Sequence, residues 1–344
     1  MGTPSRPLGM IVRADNGGLG NQTWEIWRHL QPERTLVLLS GNERGADDYT
    51  RYREGVSDVV YHEGLQLSTD VLREFAQSCA AIFTVETPYH VDGARVIRKA
   101  KCSLYVLANP ELWNEAEYGT PSKLFVPTMW ERSRLPQAEL LPQPVALDRF
   151  DKRERSDGLF TFYHPGAPAM LDRNGTGVLL DALPLITTPC RVIIRHPANK
   201  RPHTEIIGDV EVVYLPPDDG PYWNAYPPDT DMMVLPRKYG GLSLSLLEAA
   251  ALGVPALMPA IAPQVAYEHV AYIPMTGEHD VVPMKGGMFN VYEIEPEPLA
   301  QRMSKLAASP SLVAAYSARA YAWAQAHSWD VLLPRWREAL DLDR

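Results

Sequence analysis

Apolar and polar positions follow two rhythms along the first half of the chain. Leu8–Ala14 is an apolar run of the kind that forms a strand buried on both faces. Asn21–Leu30 follows with helical spacing, placing Trp24, Trp27 and Leu30 on one side. The alternation continues with predicted strands at Thr35–Leu39, Val56–Tyr61, Ala80–Val85, Ser103–Leu107 and Lys123–Val126, and predicted helices at Thr69–Gln77 and Gly93–Ala100. Short apolar strands alternating with helices predict a parallel sheet covered on both faces.

The rhythm breaks at Leu135–Arg155. This stretch carries Pro136, Pro142 and Pro144 and then the charged run Asp151–Arg155, and it reads as an interdomain linker. The pattern then restarts. Strands are predicted at Leu159–Tyr163, Arg191–Arg195, Glu211–Leu215, Asp231–Leu235 and Pro255–Met258, with helices at Gly175–Leu185 and Leu242–Leu252. The tail is predicted helical over Pro298–Ala307, Ser311–His327 and Asp330–Leu342. With 344 residues, two α/β domains of ordinary size fit. Open parallel sheets bind ligands beyond the carboxyl ends of their strands. Two such halves facing each other predict a cleft able to hold two substrates.

Composition narrows the class. Hydrophobic residues make up 45% and charged residues 22%, enough to build two cores. The net charge of -9 lacks the basic footprint of a general nucleic-acid binder. Cys79, Cys102 and Cys190 are far apart, odd in number and without a CxxC pair, so buried free thiols are expected rather than disulfides or a zinc site. The N-terminus is polar, and the apolar runs are too short and too broken to span a bilayer. The expectation is a cytoplasmic protein with no membrane insertion.

Candidate chemistry gathers where strands end. Asp15–Asn21 follows the first strand and opens the first helix, and Gly17, Gly18 and Gly20 would let its backbone approach a ligand and offer amides to an anion. Glu86 ends an apolar strand, which puts its carboxylate at the carboxyl edge of the sheet; a cap for the following segment is the competing role. Nearby His90 reads as structural or exposed. Arg173-Asn174-Gly175 opens the first helix of the second half, where an arginine beside a helix N-terminus suits a diphosphate. Arg195 and His196 end another strand and could line a nucleotide pocket. The richest segment is Leu235–Pro255. Basic residues, Tyr239 and the pair Gly240-Gly241 fill a loop, and Leu242 then opens an apolar helix in which Glu248 is the only charge. Lone carboxylates are placed in such helices when they are paired or used. Glu248, near the helix start, is expected to accept hydrogen bonds from sugar hydroxyls, with the amides of Gly240 and Gly241 facing phosphate. No metal-ligand spacing is visible.

These residues resemble a family. Asp231–Pro259 is similar to the donor-binding signature of retaining GT-B glycosyltransferases, in which two glutamates separated by seven residues precede a Gly-x-Pro strand start. Glu248 matches the second glutamate and Gly253-Val254-Pro255 the strand start, while Gly240 stands where the family has its first, sugar-contacting glutamate. Arg173-Asn174-Gly175, Pro144–Phe150 and Ser328-Trp329-Asp330 resemble, in order, the family's phosphate-binding turn, its interdomain segment and the start of its last helix. The opening Arg13–Trp24 and Tyr239–Leu242 are similar to a subgroup encoded by bacteriophages.

The resemblance implies an α/β GT-B fold. Residues 1–145 would be a Rossmann-like acceptor-side domain and 146–327 a Rossmann-like donor domain, with a last helix over 328–344 packing back on the first. It implies a sugar transferred with retention from a nucleotide-diphosphate donor to an acceptor hydroxyl, without metal or other cofactor. Glu86, Arg173 and Glu248 would carry the reaction. Gly17, Gly18, Gly20, Arg195, Tyr239, Gly240, Gly241 and Leu242 would join Glu248 in holding the donor. The acceptor would be a phage virion protein or a hydroxymethylated DNA base; for DNA, Arg98, Lys99 and Lys101 are the candidate basic surface, or else a solvated helix end. A nucleotide-sugar epimerase or hydrolase on the same fold, and a non-catalytic nucleotide-sugar-binding relative, are the alternatives.

Overall fold

The computed structural model describes residues 7–40, 49–52, 58–154, 158–167, 170–218, 222–240, 242–261, 267–284 and 287–343. They form two compact units. The first runs to Gln143 and also takes in Gly287 and the chain from Trp329 onward; the second is built from Pro144–Met284 and Met288–Ser328.

The first unit contains strands β1 (Leu8–Arg13), β2 (Arg34–Leu39), β3 (Asp58–Glu63), β4 (Ala81–Glu86), β5 (Ser103–Ala108), β6 (Lys123–Val126) and β7 (Glu139–Leu140). They make one sheet in the order β3-β2-β1-β4-β5-β6-β7, parallel throughout. Its helices are α1 (Gly18–Leu30), α2 (Thr69–Gln77), α3 (Gly93–Lys99) and α4 (Glu115–Tyr118). Met10, Ile11 and Val12 of β1 are completely buried, as expected of a strand covered on both faces. α2 begins where its pattern predicts: the Ser68 side chain accepts from the Val71 amide at 3.3 Å and caps the first turn.

The second unit repeats the plan with β8 (Thr161–Pro165), β9 (Cys190–Arg195), β10 (His203–Ile207), β11 (Val210–Leu215), β12 (Met232–Val234), β13 (Ala256–Pro259) and β14 (Val270–Ile273). Their order is β10-β11-β9-β8-β12-β13-β14. Every pair is parallel except β10 with β11. A separate hairpin, β15 (His279–Met284) with β16 (Gly287–Tyr292), stands outside this sheet. The helices are α5 (Thr176–Ala182), α6 (Leu244–Ala251), α7 (Pro296–Ala307) and α8 (Pro310–Ala326).

The last helix, α9 (Trp329–Ala339), belongs to the first unit. Trp336 is fully buried there: its indole N–H donates to the Pro142 carbonyl at 2.9 Å, and its ring meets Phe83 edge-on at 5.9 Å. Trp329, two turns earlier, stacks on His29 at 4.3 Å. Two aromatic anchors on one helical face fix its docking.

Some expectations need correction. The stretch Leu135–Arg155 is not a plain linker, because Glu139–Leu140 pairs in parallel with β6 as the edge strand β7. Two residues between prolines show no periodicity, so only the neighbouring strand reveals them. β10 was missed for a similar reason: it is an edge strand whose side chains are almost all exposed, without an apolar stripe. The predicted strand at Val56–Tyr61 begins outside the described residues and is observed as Asp58–Glu63. All three cysteines are buried and free, and burial pushes Cys190 up to about 12. Among the described residues no helix is long and apolar enough to cross a membrane.

Two buried histidines set an acid limit on stability. His164 donates from Nδ1 to the Val234 carbonyl at 2.9 Å and accepts at Nε2 from the Thr176 hydroxyl at 2.8 Å, which defines a neutral ring. His269 is buried between Tyr267 and Trp323, and neither ring nitrogen has a partner among the described residues. Burial lowers both to about 4. The folded value lies below the ordinary 6.5, so on acidification the unfolded chain takes up protons first. Stability therefore falls as pH drops from 6.5 to 4 and levels off below, by up to about 3 kcal/mol for each ring. Urea unfolding between pH 7 and 4 should show this slope. His269→Phe should remove roughly half of it; an unchanged slope would reject the assignment.

Candidate functional site

In both sheets the chain reverses direction of growth beside the first strand: between β1 and β4 in the first unit, and between β8 and β12 in the second. Crevices beyond the carboxyl ends of the strands at such points are where α/β sheets bind ligands. The glycine loop after β1, Glu86 at the end of β4, Arg173 after β8 and the Leu235–Ser243 loop after β12 all lie at these two points.

The second unit brings Arg173, Tyr239 and Gly240 into direct contact. The Arg173 guanidinium lies over the Tyr239 ring, 5.4 Å from its centroid, and Nε donates to the Tyr239 carbonyl at 3.4 Å. Its Nη nitrogens have no partner among the described residues. Gly240 has φ +93, and a Cβ there would collide with Arg173 Nη2. The glycine suits the backbone conformation, and a side chain there would push the guanidinium off its place. Gly175, with φ +73, has a Cβ direction that runs into the Pro236 carbonyl, so the two loops touch backbone to backbone. Lys238 N donating to Arg173 O at 2.9 Å closes this contact.

The other cations are committed. Arg237 is buried and ties up the carbonyls of Tyr239 at 2.9 Å and Leu242 at 3.4 Å. Lys238 faces Asp172 at 3.6 Å. Asp172 itself accepts from the amides of Thr176 at 2.7 Å and Gly177 at 2.9 Å. At the start of α5, two amides that the expectation offered to a phosphate are therefore taken by Asp172. At the same reversal, α6 begins without a side-chain cap among the described residues. Its N-cap residue Ser243 is buried, with a hydroxyl that has no partner among the described residues. Ser243 was not singled out from sequence, although a serine before an apolar helix is an N-cap signal. Gly241 lies outside the described residues.

Glu248 sits in the middle of α6, which begins at Leu244, two residues later than predicted. The half-buried carboxyl makes no hydrogen bond or ion pair among the described residues, and burial raises it to about 8. It lies near the hydroxyls of two buried tyrosines. Tyr163, pushed up to about 12 chiefly by burial, feels both Arg195 and Glu248. Tyr226, also raised chiefly by burial and then by Glu248, donates to the Ser245 carbonyl at 2.6 Å. Arg195 further donates to the Pro216 carbonyl at 3.2 Å and pairs with Asp218 at 3.3 Å. Arg195 and Glu248 therefore share one neighbourhood, around Tyr163, while His196 turns to its own loop and accepts from the Ala198 amide.

In the first unit, Asp15 organises the glycine loop. Its carboxylate pairs with Arg13 at 2.6 Å and accepts the Gly17 amide at 2.9 Å. A Cβ on Gly20 would collide with the Asp15 carbonyl. Gly17 and Gly20 are thus explained by the turn itself, and Gly18 begins α1, which has no side-chain cap. Glu86 ends β4 in the left-handed region at φ +66, a conformation that costs a non-glycine residue about 1–3 kcal/mol. His90 bonds Thr69 at 3.0 Å. Arg98, Lys99 and Lys101 are exposed around the C-terminal end of α3, where cations complement the helix dipole.

The backbone path of both units is shared with solved glycosyltransferases. Anabaena HepE, in complex with UDP and glucose, superposes with a TM-score of 0.69 over 97% of this chain and 99% of its own, at 12% identity. Sucrose-phosphate synthase from Thermosynechococcus elongatus matches with 0.65 over 98% and 99%, at 13% identity. The apo lipopolysaccharide outer core galactosyltransferase WaaB gives 0.63 over 98% and 99%, at 10%. This chain has the GT-B fold. No protein-family model and no curated protein matches it. At these identities the GT-B likeness is one of backbone path, and the chemistry rests on the residues just described.

Proposed function

We propose that the protein is a glycosyltransferase that moves a sugar from a nucleotide-diphosphate donor to an acceptor hydroxyl with retention. The observation that carries this reading is the arrangement at the β8/β12 reversal: a guanidinium held over Gly240 with Nη nitrogens that have no partner among the described residues, the following helix α6 starting without a side-chain cap, and on that helix Glu248, whose carboxyl likewise has no hydrogen bond or ion pair among the described residues. A diphosphate needs a cation and helix-end amides. Sugar and ribose hydroxyls need a carboxyl able to accept and donate. Arg173 and the start of α6, with Ser243, stabilise the charge that develops on the leaving nucleoside diphosphate. Arg195, Tyr239 and Leu242 complete the donor side. In the first unit the reading assigns Glu86 as a catalytic carboxylate and the amides at Gly18 and Gly20 as anion donors, the Gly17 amide being taken by Asp15.

The acceptor is assigned as a protein hydroxyl. The net charge of -9 favours this over a hydroxymethylated DNA base, and the likeness of Arg13–Trp24 to phage enzymes points to a virion protein. HepE was solved with UDP and glucose, which makes UDP-glucose the first donor to test. Wild-type protein should release UDP from it, or the matching diphosphate from another nucleotide sugar, and Arg173→Ala should lower kcat/KM by about a hundredfold. NMR of the early product should show the donor's anomeric configuration. Equal turnover by wild type and Arg173→Ala would overturn the assignment. Free sugar as the sole product, whatever acceptor is supplied, would mark a hydrolase or epimerase.

A further inference from the structure

The hairpin β15–β16 is absent from the sheet plan and from the expectations drawn from sequence. It lies between β14 and α7, and all but one of its residues are exposed or half-buried: Val281 is 57% and Met288 46% accessible. Phe289 is the exception. It is buried, and its ring meets Tyr239 edge-to-face at 5.7 Å and 73°. Three residues on, the Tyr292 amide donates to the Lys238 carbonyl at 2.9 Å. The hairpin therefore grips the loop after β12 at two adjacent residues, once by a ring and once by backbone.

Tyr239 is the middle of a stack. Phe289 lies against it, the Arg173 guanidinium lies over it, and bare Gly240 makes room for that guanidinium. Apart from a long hydrogen bond from Nε, nothing else holds the Arg173 head group among the described residues. A guanidinium on a flexible stem loses rotamer freedom when it grips an anion, and a surface that already fixes it lowers that cost. We infer that Phe289 is a positioning residue: through Tyr239 it fixes the Arg173 guanidinium for the donor's diphosphate, making the hairpin part of the donor site. This rests on the reading of Arg173 given above.

The test is calorimetric binding of UDP, GDP and ADP, with donor kinetics for whichever binds. Phe289→Leu removes the aromatic edge and Phe289→Met keeps the volume; Phe289→Tyr restores the ring. Leu and Met variants should bind the diphosphate about five- to tenfold more weakly. kcat/KM for the donor should fall by a similar factor, thermal midpoints should stay close to wild type, and Phe289→Tyr should recover both binding and turnover. In an Arg173→Ala background the Phe289 substitutions should have no further effect. Folded Leu and Met variants that bind like wild type would overturn the inference and leave the Arg173 reading intact. So would a loss of equal size in both backgrounds, because it would not act through Arg173. No binding of any diphosphate by wild type would overturn both.

Discussion

Glu248→Gln is expected to stabilise the protein at pH 8.5 while weakening donor binding. The folded carboxyl titrates at about 8, above the ordinary 4.5, because burial penalises its charge. Between these values the folded state holds a proton that the unfolded state has released. Stability is therefore full below pH 4.5 and is lost as pH rises toward 8, by up to about 4 kcal/mol. Glutamine has no charge to bury, so the variant escapes the loss. Its thermal midpoint should exceed that of wild type clearly at pH 8.5 and hardly at pH 5. Donor affinity should move the other way. Hydroxyls that bond to the ionised carboxylate favour its deprotonation, so wild-type affinity should improve as pH rises through 8. Glu248→Gln should bind about tenfold more weakly at pH 8.5 and lack that pH dependence. A midpoint gain of the same size at both pH values would show that the carboxyl is not held neutral in the fold.

Gly175→Ala should be the most damaging single methyl in the second unit. The residue sits at φ +73, where an L side chain is strained, and its Cβ would collide with the Pro236 carbonyl, a backbone atom that cannot swing aside. Strain and overpacking each cost about 1–3 kcal/mol, so a loss of about 3–5 kcal/mol is expected in urea unfolding. Gly208→Ala supplies the comparison. Gly208 is also left-handed, at φ +57, with nothing within 4 Å of its Cβ direction, so strain alone should cost about 1 kcal/mol. Similar losses at the two positions would mean that the two loops are not in contact. Any Gly175→Ala protein that does fold should also bind donor poorly, because Pro236–Lys238 carries the loop on which Arg173 rests.

Much of this was legible in the chain. Parallel strands buried on both faces leave near-continuous apolar runs, so β1, β4, β5, β9 and β11 were found within a few residues of their ends. The motif residues were legible too, because Arg173 and Gly240 lie in loops between elements that periodicity locates and Glu248 is the only charge in an apolar helix. Elements without a strong apolar run of their own were not: two-residue β7, exposed β10 and the hairpin exist through pairing with a neighbour. The site's wiring was equally hidden. The Asp172 cap on α5, the buried hydroxyl of Ser243 at α6, and the tyrosines around Glu248 depend on side chains converging from separate strands and loops.

By itself, then, the sequence determined two Rossmann-like halves and the loops in which chemistry is concentrated, since hydrophobic periodicity and glycine placement are local properties. Only the tertiary structure decided that Asp172 takes two amides at the start of α5, where Glu248 sits along α6, and that Phe289 stands behind Tyr239 and Arg173. Those facts depend on contacts between residues tens of positions apart, and no local pattern encodes which distant atom will occupy a donor, an acceptor or a ring face.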